Sequence, residues 1–154
     1  MLKIFIYMTL LISFQYAITP EELTGNWHAS RESTTNGTVT LEKEYLHLRA
    51  DETFSIQIFV NVRKGDAFIK GLRIEGSGIW KSREDTLVIY IQKVEVPFAK
   101  EIYLISQESL RNLVNNFKYK YENAPLRIIK IESFTGNQLN TSSEAGIKTA
   151  YTCQ

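Results

Sequence analysis

Two histidines, His28 and His47, one cysteine, Cys153, and the adjacent acids Glu84 and Asp85 are the side chains of this 154-residue chain whose types best suit chemistry. A zinc site needs three or four ligands at workable positions, and two separated histidines with a cysteine at the far end do not supply them. His28 directly follows Trp27, so on a strand the two side chains face opposite ways. As an acid or base, either histidine needs a carboxylate brought from elsewhere in the chain. Glu84 and Asp85 belong to the polar stretch Ser82–Asp85, which reads as a solvated turn. The sequence holds no Gly-x-Ser-x-Gly elbow, and no glycine-rich loop stands before a helix to cradle phosphate. Cys153 has no second cysteine in the chain to pair with, so it is expected as a free thiol on a frayed tail, the alternative being an intermolecular bridge or an adduct. Lys118-Tyr119-Lys120-Tyr121 alternates basic and aromatic side chains. It could form a stacking platform, or it could end a helix whose tyrosines pack inward and whose lysines face water. This inventory predicts no catalytic residue, no metal and no cofactor.

Charge and the N-terminus bound the remaining functions. Eighteen basic and 17 acidic residues leave a formal charge of +1, which provides no basic face for nucleic acid. Lys3 precedes an apolar run from Ile4 to Phe14, broken only by Thr9 and Ser13. That pattern predicts a signal peptide over residues 1–17, cleaved after Ala17, and a secreted or periplasmic protein. The run is shorter than the roughly 20 residues a spanning helix needs, so no stable membrane span is expected after cleavage. Residues 18–154 then suit one domain.

The rest of the chain reads as β-structure. Thr19-Pro20-Glu21-Glu22-Leu23 opens it as a short helical turn, with Thr19 as cap. Asn26–Arg31 is a short strand. Thr38–Arg49 places Val39, Leu41 and Tyr45 on one parity, then Leu46 and Leu48 on the other, which predicts a bulge near Lys43–Tyr45. Phe54, Ile56, Ile58, Val60 and Val62 follow strict period two, as do Phe68, Leu72, Ile74, Gly76, Gly78 and Trp80. Each set marks a sheet with one buried face, and Gly76 and Gly78 on that face suggest a sharp bend. Leu87, Ile89 and Ile91 make another such row, and Val94–Phe98 continues extended.

One segment changes period. Leu110, Leu113, Val114 and Phe117 follow helical spacing, with Ser106 as cap and Glu108 in the first turn, predicting an amphipathic helix over about 107–118. Asn123-Ala124-Pro125 stops it. Leu126–Phe134 is again a strand, and two weaker strands follow at Gln138–Thr141 and Lys148–Thr152. The whole predicts an all-β fold: an antiparallel up-and-down barrel of about eight strands, with one late helix.

Leu23-Thr24-Gly25-Asn26-Trp27 resembles the opening motif of lipocalins and their bacterial lipocalin-like relatives, a helical turn leading into Gly-x-Trp. Gly78-Ile79-Trp80, a polar turn and Leu87-Val88-Ile89 resemble a second stretch of those relatives. Asp51-Glu52-Thr53-Phe54 is similar to their Asp-Gly-Thr-Phe hairpin, with Glu52 in place of Gly. The likeness extends loosely from Leu23 to about Ile91. It implies a calycin-type barrel of bacterial origin, and for Trp27 the role of closing one barrel end.

An aromatic-rich inner surface is the remaining candidate site. Phe54, Ile56, Ile58, Phe68, Leu72, Ile74, Trp80, Leu87 and Ile89 share the inward parity. The expectation is that they line a cavity and that the protein binds a small hydrophobic molecule there; the alternative is a solid barrel. Filling a packed barrel, they would leave a solid module that acts through its surface on a protein partner, as an inhibitor or envelope component, with an exposed patch expected around Tyr119 and Tyr121.

Overall fold

The computed structural model describes residues 17–97 and 99–154. All of the expected leader except Ala17 lies outside these residues, as does Phe98. In chain order the elements are α1 (Pro20–Leu23), β1 (Gly25–Thr35), β2 (Thr38–Leu48), β3 (Thr53–Lys64), β4 (Ala67–Arg83), β5 (Thr86–Glu95), β6 (Glu101–Tyr103), α2 (Gln107–Asn123), β7 (Leu126–Phe134), β8 (Gln138–Ser143) and β9 (Lys148–Cys153). No helix among the described residues is long and apolar enough to cross a membrane.

Every strand pairing is antiparallel. Hairpins join β1 to β2, β2 to β3, β3 to β4 and β4 to β5, while β5 pairs with β7 across the excursion through β6 and α2. β7–β8 and β8–β9 follow, and β9 returns to β1 at Trp27↔Cys153 and His28↔Thr152. Eight strands therefore close into an up-and-down barrel, and β6 adds to the first half of β4. Closure leaves few backbone edges to pair with other chains.

Capping and turn chemistry set the element ends. Thr19 and Glu22 form a capping box on α1, and the Ser106 hydroxyl accepts from the Ser109 N–H at the start of α2. α2 runs five residues beyond its predicted end at Lys118, because Pro125, not the tyrosine-rich segment, is what stops it. Glu52 occupies the left-handed region at φ 65°, the place where the similar hairpins carry Gly.

Three irregularities steer the inner face. Between Val60↔Leu72 and Val62↔Ile69, β4 gains a residue on β3. Gly71 takes φ 67° there, and its N–H donates to Asn61 Oδ1 at 2.7 Å. The bulge flips the parity of β4, so Ile69 is buried and Phe68 turns away to stack on Tyr103 with ring centroids 5.6 Å apart. Extra residues on β5 and β7 similarly bring Val94 and Phe134 inward. The bulge expected near Lys43–Tyr45 is absent: β2 pairs with both neighbours in unbroken register. Its odd-numbered Val39 and Tyr45 simply face outward and exposed, and its inner row carries the acids Glu42 and Glu44 before Leu46 and Leu48.

Candidate functional site

The predicted lining is brought together, with one exception. Phe54, Ile58, Leu72, Ile74, Trp80, Leu87 and Ile89 all stand at 5% exposure or less and belong to one contiguous core. Ile56 packs against that core half-buried, beside Gly76. Phe68 stands apart, outside the inner row, for the reason given above. Trp27 is buried beneath α1, where its indole N–H donates to the Leu23 carbonyl at 2.8 Å and its ring meets Phe134 edge-on. Trp80 is fixed likewise, donating to the Arg49 carbonyl at 2.9 Å. Both indoles satisfy their polar atom on nearby backbone, so they act here as core side chains.

A polar cluster lies toward the other end of the barrel, and sequence reasoning missed it. Arg31 pairs with Glu42, and Tyr151 donates its hydroxyl to Glu44 Oε1 at 2.5 Å. Arg127 lies over the Tyr121 ring, 4.4 Å from its centre, tying β7 to α2. Burial holds the Glu44 carboxyl above the usual carboxylate range, against the pull of Tyr151, Arg127 and Arg31. Burial first, then the neighbouring Glu44, raises the Tyr151 phenol well above its ordinary value. The Tyr121 phenol is raised by burial too. The alternation of charged residues in β2 reads as a solvated face, and only their distant partners make an inward placement affordable.

The groups flagged for chemistry are dispersed. His28 points outward, with Nδ1 3.1 Å from the Thr152 carbonyl oxygen and its ring stacked near Tyr45. His47 stands on the outer side of β2 and Glu84–Asp85 in an exposed turn. Among the described residues no group of three or more His, Cys, Asp or Glu side chains could hold a metal ion. Cys153 is a free thiol, yet it belongs to β9 and is half-buried rather than frayed. The Lys118–Tyr121 segment divides: Tyr119 is 68% exposed, while Tyr121 is half-buried on Arg127.

The outer face carries two further features. Ile79, Tyr90, Leu126 and Ile128 are 40% to 52% exposed. Register makes them neighbours: Ile79 pairs with Tyr90, Tyr90 with Leu126, and Val88 with Ile128, so they form one apolar strip across β4, β5 and β7. Beside it, a groove of about 500 Å³ crosses the outer side of β1 to β5.

The fold defines the class: a closed eight-stranded antiparallel up-and-down barrel with a helix inserted between its fifth and sixth barrel strands. No protein-family model matches the chain, and no curated protein matches it.

Proposed function

We propose that this chain is a non-enzymatic, exported binding protein, a lipocalin-like barrel with a filled interior that meets a protein partner through its outer surface. The observation that carries this reading is the burial of the inner row. Phe54, Leu72, Trp80 and Leu87 expose almost nothing to a water-sized sphere, as side chains do when they fill a small barrel at interior density. The apolar strip of Ile79, Val88, Tyr90, Leu126 and Ile128 supports it, because contiguous exposed apolar groups are characteristic of interaction surfaces. The lipocalin-like affiliation draws on Gly25-Asn26-Trp27 after a helical turn, with Trp27 buried beneath that turn. Export draws on Lys3 and the apolar run behind it, and gives a periplasmic or extracellular location.

A second reading, a carrier of a small hydrophobic molecule, has its own observation. The apolar face of α2 (Leu110, Leu113, Val114 and Phe117) packs on the core yet remains half-buried, and no residue of α2 is fully buried. A guest would enter beneath that helix, with Tyr151, Glu44 and Arg127 as polar handles.

Charge placed on the strip separates the two. The double variant Tyr90→Glu/Leu126→Glu and the wild type are each recovered from the native host and their complexes weighed by native mass spectrometry. The surface reading expects a stoichiometric protein complex in the wild type that the variant loses while its fold, followed by circular dichroism, persists. A complex equally abundant in both, or no protein complex in the wild type, would overturn it.

A further inference from the structure

The groove across β1 to β5 borders the apolar strip at Ser77 and Ile79 on β4, and its chemistry is different. Trp27, Leu46, Ile56 and Gly76 stand in one row of paired residues across four strands. Trp27 and Leu46 are buried, so this row meets the groove from below, as its floor. The walls are the outward-facing residues on either side, chiefly Tyr45, His47, Gln57, Glu75, Lys93 and Glu95.

We propose that this groove binds a neutral, polyhydroxylated ligand of the carbohydrate class. Three observations point there. First, the walls mix donors and acceptors: amide, imidazole, ammonium and carboxylate groups stand within one groove of about 500 Å³. A sugar ring presents hydroxyls that both donate and accept, and needs this mixture. Second, Tyr45 adds an aromatic ring that keeps 39% of its surface exposed. It is held by stacking near His28 and by an edge contact with Phe59, with centroids 5.9 Å apart. A flat, fixed aromatic suits the C–H face of a pyranose, because its large apolar area orders at little entropic cost. Third, the charges are matched locally. Lys93 pairs with Glu95 at 2.9 Å, and Arg73 with Glu75 at 3.1 Å. Gln57 Nε2 donates to Glu75 Oε1 at 3.3 Å. No uncompensated charge of one sign selects an ionic ligand, and five hydrogen-bonded strands fix the backbone from which the walls rise.

Saturation-transfer difference NMR on the full chain tests this, with neutral tri- to hexasaccharides of glucose, mannose and N-acetylglucosamine as probes and a sulfated trisaccharide as the charged comparison. At least one neutral probe is expected to bind. Its affinity should fall at least tenfold in Tyr45→Ala and in Gln57→Ala, recover in Tyr45→Phe, and stay unchanged in Tyr119→Ala, an exposed aromatic of α2 that does not line the groove. No binding by any neutral probe at millimolar concentration, binding confined to the sulfated probe, or affinity indifferent to Tyr45→Ala and Gln57→Ala would each overturn the proposal. Tyr90→Glu/Leu126→Glu should leave neutral-sugar binding intact, so failure of the strip and failure of the groove are read separately.

Discussion

Tyr151 on β9 donates its hydroxyl to Glu44 on β2 at 2.5 Å, linking residues 107 positions apart across the strand that lies between them. The pair makes two expectations about pH. Folding binds the Glu44 proton more tightly than the unfolded chain does, since burial raises its folded value. As pH rises from the usual carboxylate range toward that higher value, the unfolded state releases the proton first and stability falls. Glu44→Gln keeps an acceptor for Tyr151 and removes the titration. Urea denaturation across a pH series should therefore show a decline in the wild type over that window and a flatter profile in Glu44→Gln. Equal profiles would show that the folded carboxyl is not perturbed.

The same sign holds on the alkaline side. The Tyr151 phenol is raised by burial and by Glu44, so unfolding releases its proton more readily, and stability should fall as pH climbs past about 10, the phenol's ordinary value. Tyr151→Phe removes this share of the loss. Its denaturation midpoint should change less between pH 9 and pH 11 than that of the wild type. A steeper change would contradict the assignment.

Core substitutions should separate the inner row from the residue the bulge displaces. Leu72→Ala and Phe54→Ala each remove a wholly buried side chain and are expected to cost about 2–5 kcal/mol by chemical denaturation. Phe68→Ala should cost distinctly less, because Phe68 is half-buried on Tyr103 outside the inner row. Equal losses would place Phe68 in the core after all.

The two strand glycines make unequal demands. A Cβ at Gly78 would stand 2.0 Å from the Tyr90 carbonyl oxygen, a backbone atom that cannot retreat without breaking the β4–β5 ladder. At Gly76 the nearest atom is Ile56 Cγ2 at 2.8 Å, a branch methyl that is stiff at χ1 but belongs to a half-buried side chain and not to the ladder. Gly78→Ala should be severely destabilising or prevent folding, and Gly76→Ala milder, as thermal melting of both variants would show.

The β3 row from Phe54 to Val62 was legible in the sequence because its pairing stays regular until the bulge beyond Val60. The β4 row failed at Phe68, since Gly71 and Asn61 flip its parity through a contact that spacing alone does not reveal. Nothing in the sequence singled out Glu42 and Glu44, because their inward placement depends on Arg31 and Tyr151, contributed by other strands. The apolar strip was hidden differently. Leu126 meets Tyr90 only because β7 pairs with β5 after the long excursion through β6 and α2, and the expected patch around Tyr119 and Tyr121 dissolved when Tyr121 turned onto Arg127. Local periodicity announces strands, whereas a nonlocal pairing decides which outward side chains become neighbours.

The central claim, a filled barrel that works from its outer surface, is tested most directly by native mass spectrometry of the protein and its Tyr45→Ala variant, each recovered gently from the native host. The account predicts a protein complex that carries no small-molecule adduct in Tyr45→Ala, where the outer groove has lost its aromatic ring. A reproducible extra mass of a few hundred daltons that disappears on denaturation, survives reduction so that it is not a disulfide adduct on Cys153, and persists in Tyr45→Ala so that it is not a sugar in the outer groove, would place a guest inside the barrel and contradict it.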